Sequence, residues 1–314
     1  MTKTVFLAMA VMLGAAGCGD DHGHAADAGE HDHDVVFADA GPVDAPLVDA
    51  GEGARFAVPF RARVGAERFR CGQVFTGVGT QNSRWNPLDF RFYVHDLRLV
   101  TAAGEVPLAV LDESVWQREG VALLDFEDGT GACSNGNTPT NETVRVQAPT
   151  GTDLAAVTGL RFTLGLPAAL NHRNAAVQAS PFNLTGLWWS WQGGYKFVRL
   201  DGRVESEAGA VTVPAWNVHL GSTGCMGDAM GNVSGCAQPN RPTVTLTGFD
   251  PRSSAVVFDL GRLLAGADVS RSQNPAPGCM SGEDDADCAP VFNALGLRGG
   301  ATQTAFSVVQ NTAP

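Results

Sequence analysis

The sequence is short of positive charge and, beyond its first residues, of long hydrophobic runs. Its 21 Lys and Arg stand against 33 Asp and Glu, a formal charge of −12 over 314 residues. That balance repels nucleic acid and anionic lipid and suits cationic partners, metal ions included. No stretch after the N-terminus is long and apolar enough for a transmembrane helix. No C-x-x-C spacing occurs, so neither a zinc ribbon nor a thioredoxin-type redox pair is indicated. The "GVGTQN" stretch at Gly77 lacks the strand-to-helix context of a dinucleotide site and reads as a loop. Ser, His and Asp form no constellation with a nameable nucleophile, which leaves a hydrolase without support, and there is no internal repeat.

What is present begins with an export signal. Lys3 supplies the charge, Val5 to Leu13 is an apolar run too short to span a bilayer, and Ala15-Ala16-Gly17-Cys18 follows. Small residues directly before a cysteine resemble a bacterial lipoprotein signal, with Cys18 as the lipidated first residue of the mature chain. An ordinary secretory signal with an incidental cysteine is the alternative, since Ala15 stands where Leu is usual. Either reading places the protein in the bacterial cell envelope, as a periplasmic protein or an outer-membrane lipoprotein. Residues 19–53 are mainly Asp, Ala, Gly, His, Val and Pro and read as a flexible tether. His22, His24, His31 and His33 lie there, either as a loose metal scavenger or as part of a solvated tail.

From residue 54 to 314 the pattern is that of one β domain. "RFAVPFRARV" alternates apolar Phe56, Val58, Phe60, Ala62 and Val64 with Arg61 and Arg63, the period-two signature of a strand with one wet face. About ten such runs, separated by Gly, Pro, Asn and Asp clusters, predict an antiparallel, immunoglobulin-like β-sandwich with long loops. Brief helices are predicted around Leu260 to Leu264 and Ala289 to Leu295. Six cysteines remain besides Cys18: Cys71, Cys133, Cys225, Cys236, Cys279 and Cys288. An even number in an exported protein indicates disulfides. Local closure favours Cys225 with Cys236 and Cys279 with Cys288, leaving Cys71 for Cys133. The acidic run from Glu283 to Asp287 either binds calcium or favours the start of the following helix.

Three histidines lie outside the tether. His172 and His219 each fall where a predicted strand runs into a loop, as functional residues at one end of a sandwich do. His95 is mid-strand and ranks below them. "LWWSWQGGYKF" (187–197) holds three of the six tryptophans. In an extended strand Trp189 and Trp191 project to one face and Trp188 to the other, so Trp188 belongs to the core and Trp189 or Trp191 faces a site. Trp85 and Trp216 are further candidates, and Trp116 reads as packing. Tyr195 and Lys196 are placed as supporting residues. Met226, Met230 and Met280, beside the cysteine loops, read as packing, with soft-copper contact as the alternative.

"FTLGLPAALNHRNAAVQASPFNLTGLWWSWQGGYKFVRLDG", "NVHLGSTGC", "RPTVTLTGF", "LLAGADV" and "PAPGCMSGEDDADC" together resemble the MbnP-like family of exported bacterial proteins, also described as metallo-mystery-pair four-Cys proteins. The resemblance covers about residues 54 to 310. It implies copper as the cofactor and, as partner, a di-haem MauG/MbnH-like cytochrome that oxidises a tryptophan to kynurenine. On that reading the protein is the substrate of a haem enzyme and no enzyme itself. The chemistry is coherent: indole has no lone pair to offer a metal, whereas ring opening leaves an aryl amine and a carbonyl. With two imidazoles these make an N/O set of a kind copper accepts. His172, His219 and Trp191 or Trp189 are the ligand candidates. Six cysteines in the domain, against the family's four, leave one extra pair to close a peripheral loop. The rival expectation is a cell-surface module binding glycan or peptide through an aromatic patch from Trp188 to Tyr195.

Overall fold

Arg55–Val64 forms the seam of a first sheet, with every second residue turned inward as its alternation requires. The computed structural model describes residues 53–310 apart from positions 134, 135, 137, 138, 229 and 231. The export signal with Cys18, and the tether histidines His22, His24, His31 and His33, lie outside the described residues. Arg55–Val64 pairs antiparallel with Thr143–Gln147 on one side and parallel with Ser254–Asp259 on the other. Phe306–Gln310 adds antiparallel to Ser254–Asp259, and Ala109–Val110 closes the far edge.

A second sheet runs in the order Thr243–Thr247, Val157–Leu164, Ser83–Thr101, Val198–Glu205, Asn217–Leu220, Gly278–Cys279. All these neighbours are antiparallel except the last two, which pair parallel. The architecture is thus the predicted mainly-β, sandwich-like one, with two parallel pairings that strand alternation alone does not reveal. Ser83–Thr101 is a single strand of 19 residues, although its first half, with Asn86 and Pro87, does not read as a strand. Pro87 is tolerated because it stands opposite Gly202 at a register shift, where the ladder is already interrupted.

Aromatic rings lock the sheets together. Phe258 of the first sheet meets Phe92 of the second at 5.2 Å between centroids, Phe60 meets Phe162 at 5.6 Å, and Phe306 meets Phe162 at 5.3 Å, all edge-on. All five rings are buried. The three disulfides join Cys71 to Cys133, Cys225 to Cys236 and Cys279 to Cys288, as local closure predicts. The brief helices are Leu260–Leu264, capped by Asp259, and Cys288–Ala294. Before the second, Asp285 accepts hydrogen bonds from Asn274, Met280 and Asp287, and Asp287 accepts from Gln273. These two carboxylates of the acidic run therefore fasten the loop ahead of the helix. Among the described residues no helix is long and apolar enough to cross a membrane.

The outward face of the second sheet is overlaid by the segment 166–197, which contains the short helix Ala168–Asn171. Tyr93, on that face, donates its hydroxyl to Pro181 O at 2.8 Å, and Tyr195 donates its own to Phe182 O at 2.6 Å. Both rings are buried. Burial raises both phenol pKa values, that of Tyr195 to about 12.

Candidate metal centre

His219 stands on Asn217–Leu220 directly opposite Arg199, whose strand neighbour on the other side is Arg91. Two guanidiniums side by side repel each other, and a protonated His219 would add a third charge to the row. The adjacent row, Asp89 opposite Asp201, answers them. Arg91 donates to both oxygens of the fully buried Asp89, Arg199 reaches Asp89 at 3.1 Å and Asp201 at 2.7 Å, and Asp201 Oδ1 lies 2.6 Å from His219 Nε2. A carboxylate only accepts, so Nε2 carries the proton and Nδ1 is left with its lone pair. Burial lowers the His219 pKa, with Asp201 partly opposing it. Burial pushes the Asp201 carboxyl up, but its bonds to His219 and Arg199 outweigh that and hold it at about 2.

His172 caps the helix Ala168–Asn171. Its Nδ1 lies 3.0 Å from Trp191 O. A carbonyl can only accept, so here Nδ1 is protonated and Nε2 has the lone pair, 3.1 Å from Asn171 Nδ2 and 3.5 Å from Cys236 Sγ. Burial depresses this pKa as well. His95 repeats the pattern, with Nδ1 2.7 Å from Gly165 O and a pKa lowered by burial. Burial thus favours the neutral form of all three imidazoles, each with one N–H tied to a protein oxygen, the form in which histidine ligates a metal.

The tryptophans divide by packing. Trp85 is fully buried, and a Cβ on Gly202 would lie 2.0 Å from its Nε1. Trp216 is buried and donates Nε1–H to Arg271 O. Trp188 is partly buried against the core, as is Trp116. Trp189 rests on Gly221, where a Cβ would come within 2.5 Å of its Cζ3. Trp191 is 38% exposed and its ring covers Gly227. The strand here is only Trp188–Ser190, paired with Gly194–Tyr195, and Trp191 lies in the turn beyond it. A glycine under each ring lets the aromatic loop seat on the chain that leaves His219.

That chain enters the hairpin Thr223–Gly227 and Val233–Gln238, closed by Cys225–Cys236. Gln192 of the aromatic loop donates to Cys225 O at 3.1 Å. Trp189, Gln192, Thr223, Cys225 and Met280 line an open cleft of about 600 Å³. Met226 and Met230 are 70% and 86% exposed, so they do not pack beneath a loop as the sequence suggested. Tyr195 is buried, so within the stretch from Trp188 to Tyr195 it takes no part in any exposed aromatic surface.

Of the sequence-derived candidates, then, His172, Trp189 and Trp191 gather at this hairpin. His219 adjoins through Gly221, two residues on, while its ring is turned to Asp201. Among the described residues, no cluster of three or more His, Cys, Asp or Glu ligand atoms contains His219; His172 is grouped with Cys225 and Cys236. Asp201, Asn171 and Arg241, whose charge bears on both His95 and His172, were not singled out from sequence. No sequence signal pointed to the first of them, because its place beside His219 follows from the register that sets Arg199 opposite His219.

The MbnP family profile matches residues 53–281. No curated protein matches the chain. Among solved structures, MbnP from Methylosinus trichosporium is similar at 32% sequence identity and a TM-score of 0.70, over 82% of this chain and 99% of that one. The profile across most of the domain and the structural match agree: the chain belongs to the MbnP family.

Proposed function

We propose that the protein is an exported copper-binding protein whose site uses His172, His219 and a kynurenine derived from Trp189 or Trp191, formed by a di-haem peroxidase-like partner. The observation that carries this reading is the protonation pattern of the two imidazoles. Each ring donates one N–H to a protein oxygen, which fixes its tautomer; the second nitrogen of His172 accepts from Asn171 Nδ2 at 3.1 Å beside the aromatic loop, a weak contact that a metal would replace. The Asp201–His219 pair is the carboxylate–imidazole arrangement that orients a metal-binding histidine and raises its basicity. Family membership supports the metal, and the donor types suit copper.

Copper, when bound, supplies a Lewis-acidic centre for nitrogen and oxygen donors. The chain's own part is to orient the rings, keep them unprotonated and expose one indole to the partner. Trp191 is the exposed one, whereas Trp85 and Trp216 are sealed in the core. The protein acts as a substrate of that partner and not as an enzyme, and Cys18 is its lipid attachment to the cell envelope.

Metal analysis of protein co-expressed with the di-haem partner tests the reading. Wild type retains copper; His172→Ala and His219→Ala lose it while keeping the far-UV spectrum of the sandwich. Unchanged copper in both variants refutes the ligand assignment.

A further inference from the structure

The Cys225–Cys236 disulfide ties two residues that face each other across the hairpin. His172 Nε2 lies 3.5 Å from Cys236 Sγ, and Nε2 and both sulfurs are within 4.8 Å of one another. Bond lengths of about 2.3 Å to sulfur and about 2.0–2.1 Å to nitrogen set two ligands of a tetrahedral zinc ion roughly 3.5 Å apart. The imidazole thus already stands at co-ligand distance from one sulfur. Its Nδ1–H is committed to Trp191 O, which leaves the lone pair on Nε2, beside the cysteines; Asn171 Nδ2 donates to that lone pair at 3.1 Å and would give way to a bound cation.

Access separates this disulfide from the others. Cys133, Cys279 and Cys288 are fully buried. Cys225 and Cys236 are both partly exposed, and Cys225 borders the open cleft with Met280. Cys71 is partly exposed too, but its partner Cys133 is sealed, so Cys225–Cys236 is the one bridge of the three that is partly exposed at both residues.

We propose that Cys225, Cys236 and His172 form a second, redox-gated metal site. It is closed as the disulfide and opens on reduction by a dithiol into a thiolate–thiolate–imidazole set for a thiophilic d10 cation such as zinc or monovalent copper. One thiolate of the reductant attacks a cysteine sulfur, breaking the S–S bond and forming a mixed disulfide, which its second thiol resolves. Two electrons pass to the cysteine sulfurs, the dithiol becomes a disulfide, and the two cysteine thiol protons leave when the cation binds. Cys225 borders the cleft, from which a fourth ligand would enter. Soft sulfur donors select these ions over hard ones. The inference shares His172 with the function proposed above but does not depend on tryptophan oxidation, and it is tested on protein made without the haem partner.

The experiment uses the full chain, oxidised or treated with dithiothreitol, with cobalt(II) as the spectroscopic stand-in for zinc. Iodoacetamide labelling with peptide mapping reports which cysteines have opened. Labelling confined to Cys225 and Cys236, one cobalt per reduced chain, and a thiolate-to-cobalt band that zinc abolishes are the expected results. The oxidised protein shows no such band. His172→Ala keeps the same labelling but binds cobalt weaker by more than the ~10–100-fold that loss of a supporting partner costs. Cys225→Ser with Cys236→Ser gives no band. The proposal is overturned if the reduced protein shows no band, if the band and affinity are unchanged in His172→Ala, or if the pair stays closed in excess dithiol while the protein remains folded. Loss of copper binding by the oxidised, partner-treated protein with the cobalt band intact would count only against the function proposed above.

Discussion

His219 Nε2 lies 2.6 Å from Asp201 Oδ1, at the end of a charge ladder that crosses three strands from Arg91 through Asp89 and Arg199. The carboxylate fixes the imidazole's tautomer, so its first consequence is for metal affinity. Asp201→Asn is expected to weaken copper binding ~10–100-fold, measured by competition with a chromogenic chelator. It also has a pH signature. With its pKa held down to about 2, Asp201 contributes stability that is fully present above its unfolded value of about 3.9 and is lost as pH falls toward about 2. Denaturant titrations from pH 5 to 2 should show this loss in wild type and a flatter profile in the variant. At neutral pH the variant should be less stable by on the order of 2 kcal/mol.

Asp125 behaves in the opposite sense. It is 1% exposed, and burial pushes its carboxyl up to about 7, with Asp89 and Glu127 adding repulsion against the opposing Glu127 amide and Arg91. Its folded pKa lies above the unfolded one, so its stabilising contribution is complete below about pH 4 and is lost as pH rises through about 7. Asp125→Asn keeps an acceptor for Glu127 N–H and removes the charge. The variant should be more stable than wild type at pH 8, by on the order of 3 kcal/mol, and the advantage should vanish near pH 4. Urea unfolding at the two pH values checks it.

Gly221 bears Trp189. A Cβ there would sit 2.5 Å from Trp189 Cζ3 and 2.7 Å from Tyr195 O, and the backbone oxygen cannot move aside cheaply. Gly221→Ala should displace the indole and cost about 1–3 kcal/mol, the usual range for overpacking. A shifted tryptophan emission maximum together with a lower Tm is the expected result; unchanged emission would show that Trp189 does not rest on this glycine.

Histidine neutrality sets the pH limit of metal loading. Burial lowers the pKa of both His172 and His219 below the ordinary value near 6.5. Proton competition should therefore begin below that value, and copper retention measured by dialysis should be flat from pH 8 to 6.5. A loss of copper centred above pH 6.5 would contradict the burial of these rings.

The sandwich was readable because alternation is local. "RFAVPFRARV" became the strand Arg55–Val64, and Leu260 to Leu264 became a helix with those bounds. Disulfide pairing was readable for the same reason: short loops close first, and two of the three bridges span 11 and 9 residues. The parallel pairing of Arg55–Val64 with Ser254–Asp259 was not, because nothing local encodes a partner 196 residues away. Nor was the first half of Ser83–Thr101, where Pro87 disguises a strand that meets its neighbour at a bulge. At the site, His172 and the Trp loop were legible as residue types in loops. The Asp201 partner of His219 was not, since it depends on cross-strand register. Met226 and Met230 carry a packing pattern in the sequence, but their hairpin stands clear of the core and leaves both side chains exposed.

Localised mass spectrometry is the most direct measurement. The protein, purified with and without its di-haem partner, is digested and every tryptophan peptide is weighed. One peptide spanning residues 187–197 should gain the mass of an oxygen less that of a carbon, at Trp191 or Trp189, only in the sample that saw the partner, and only that sample should retain copper through dialysis. Modification mapped instead to Trp85, Trp116, Trp188 or Trp216, or copper retained equally with no tryptophan altered, would contradict a site built on an oxidised ring of the aromatic loop.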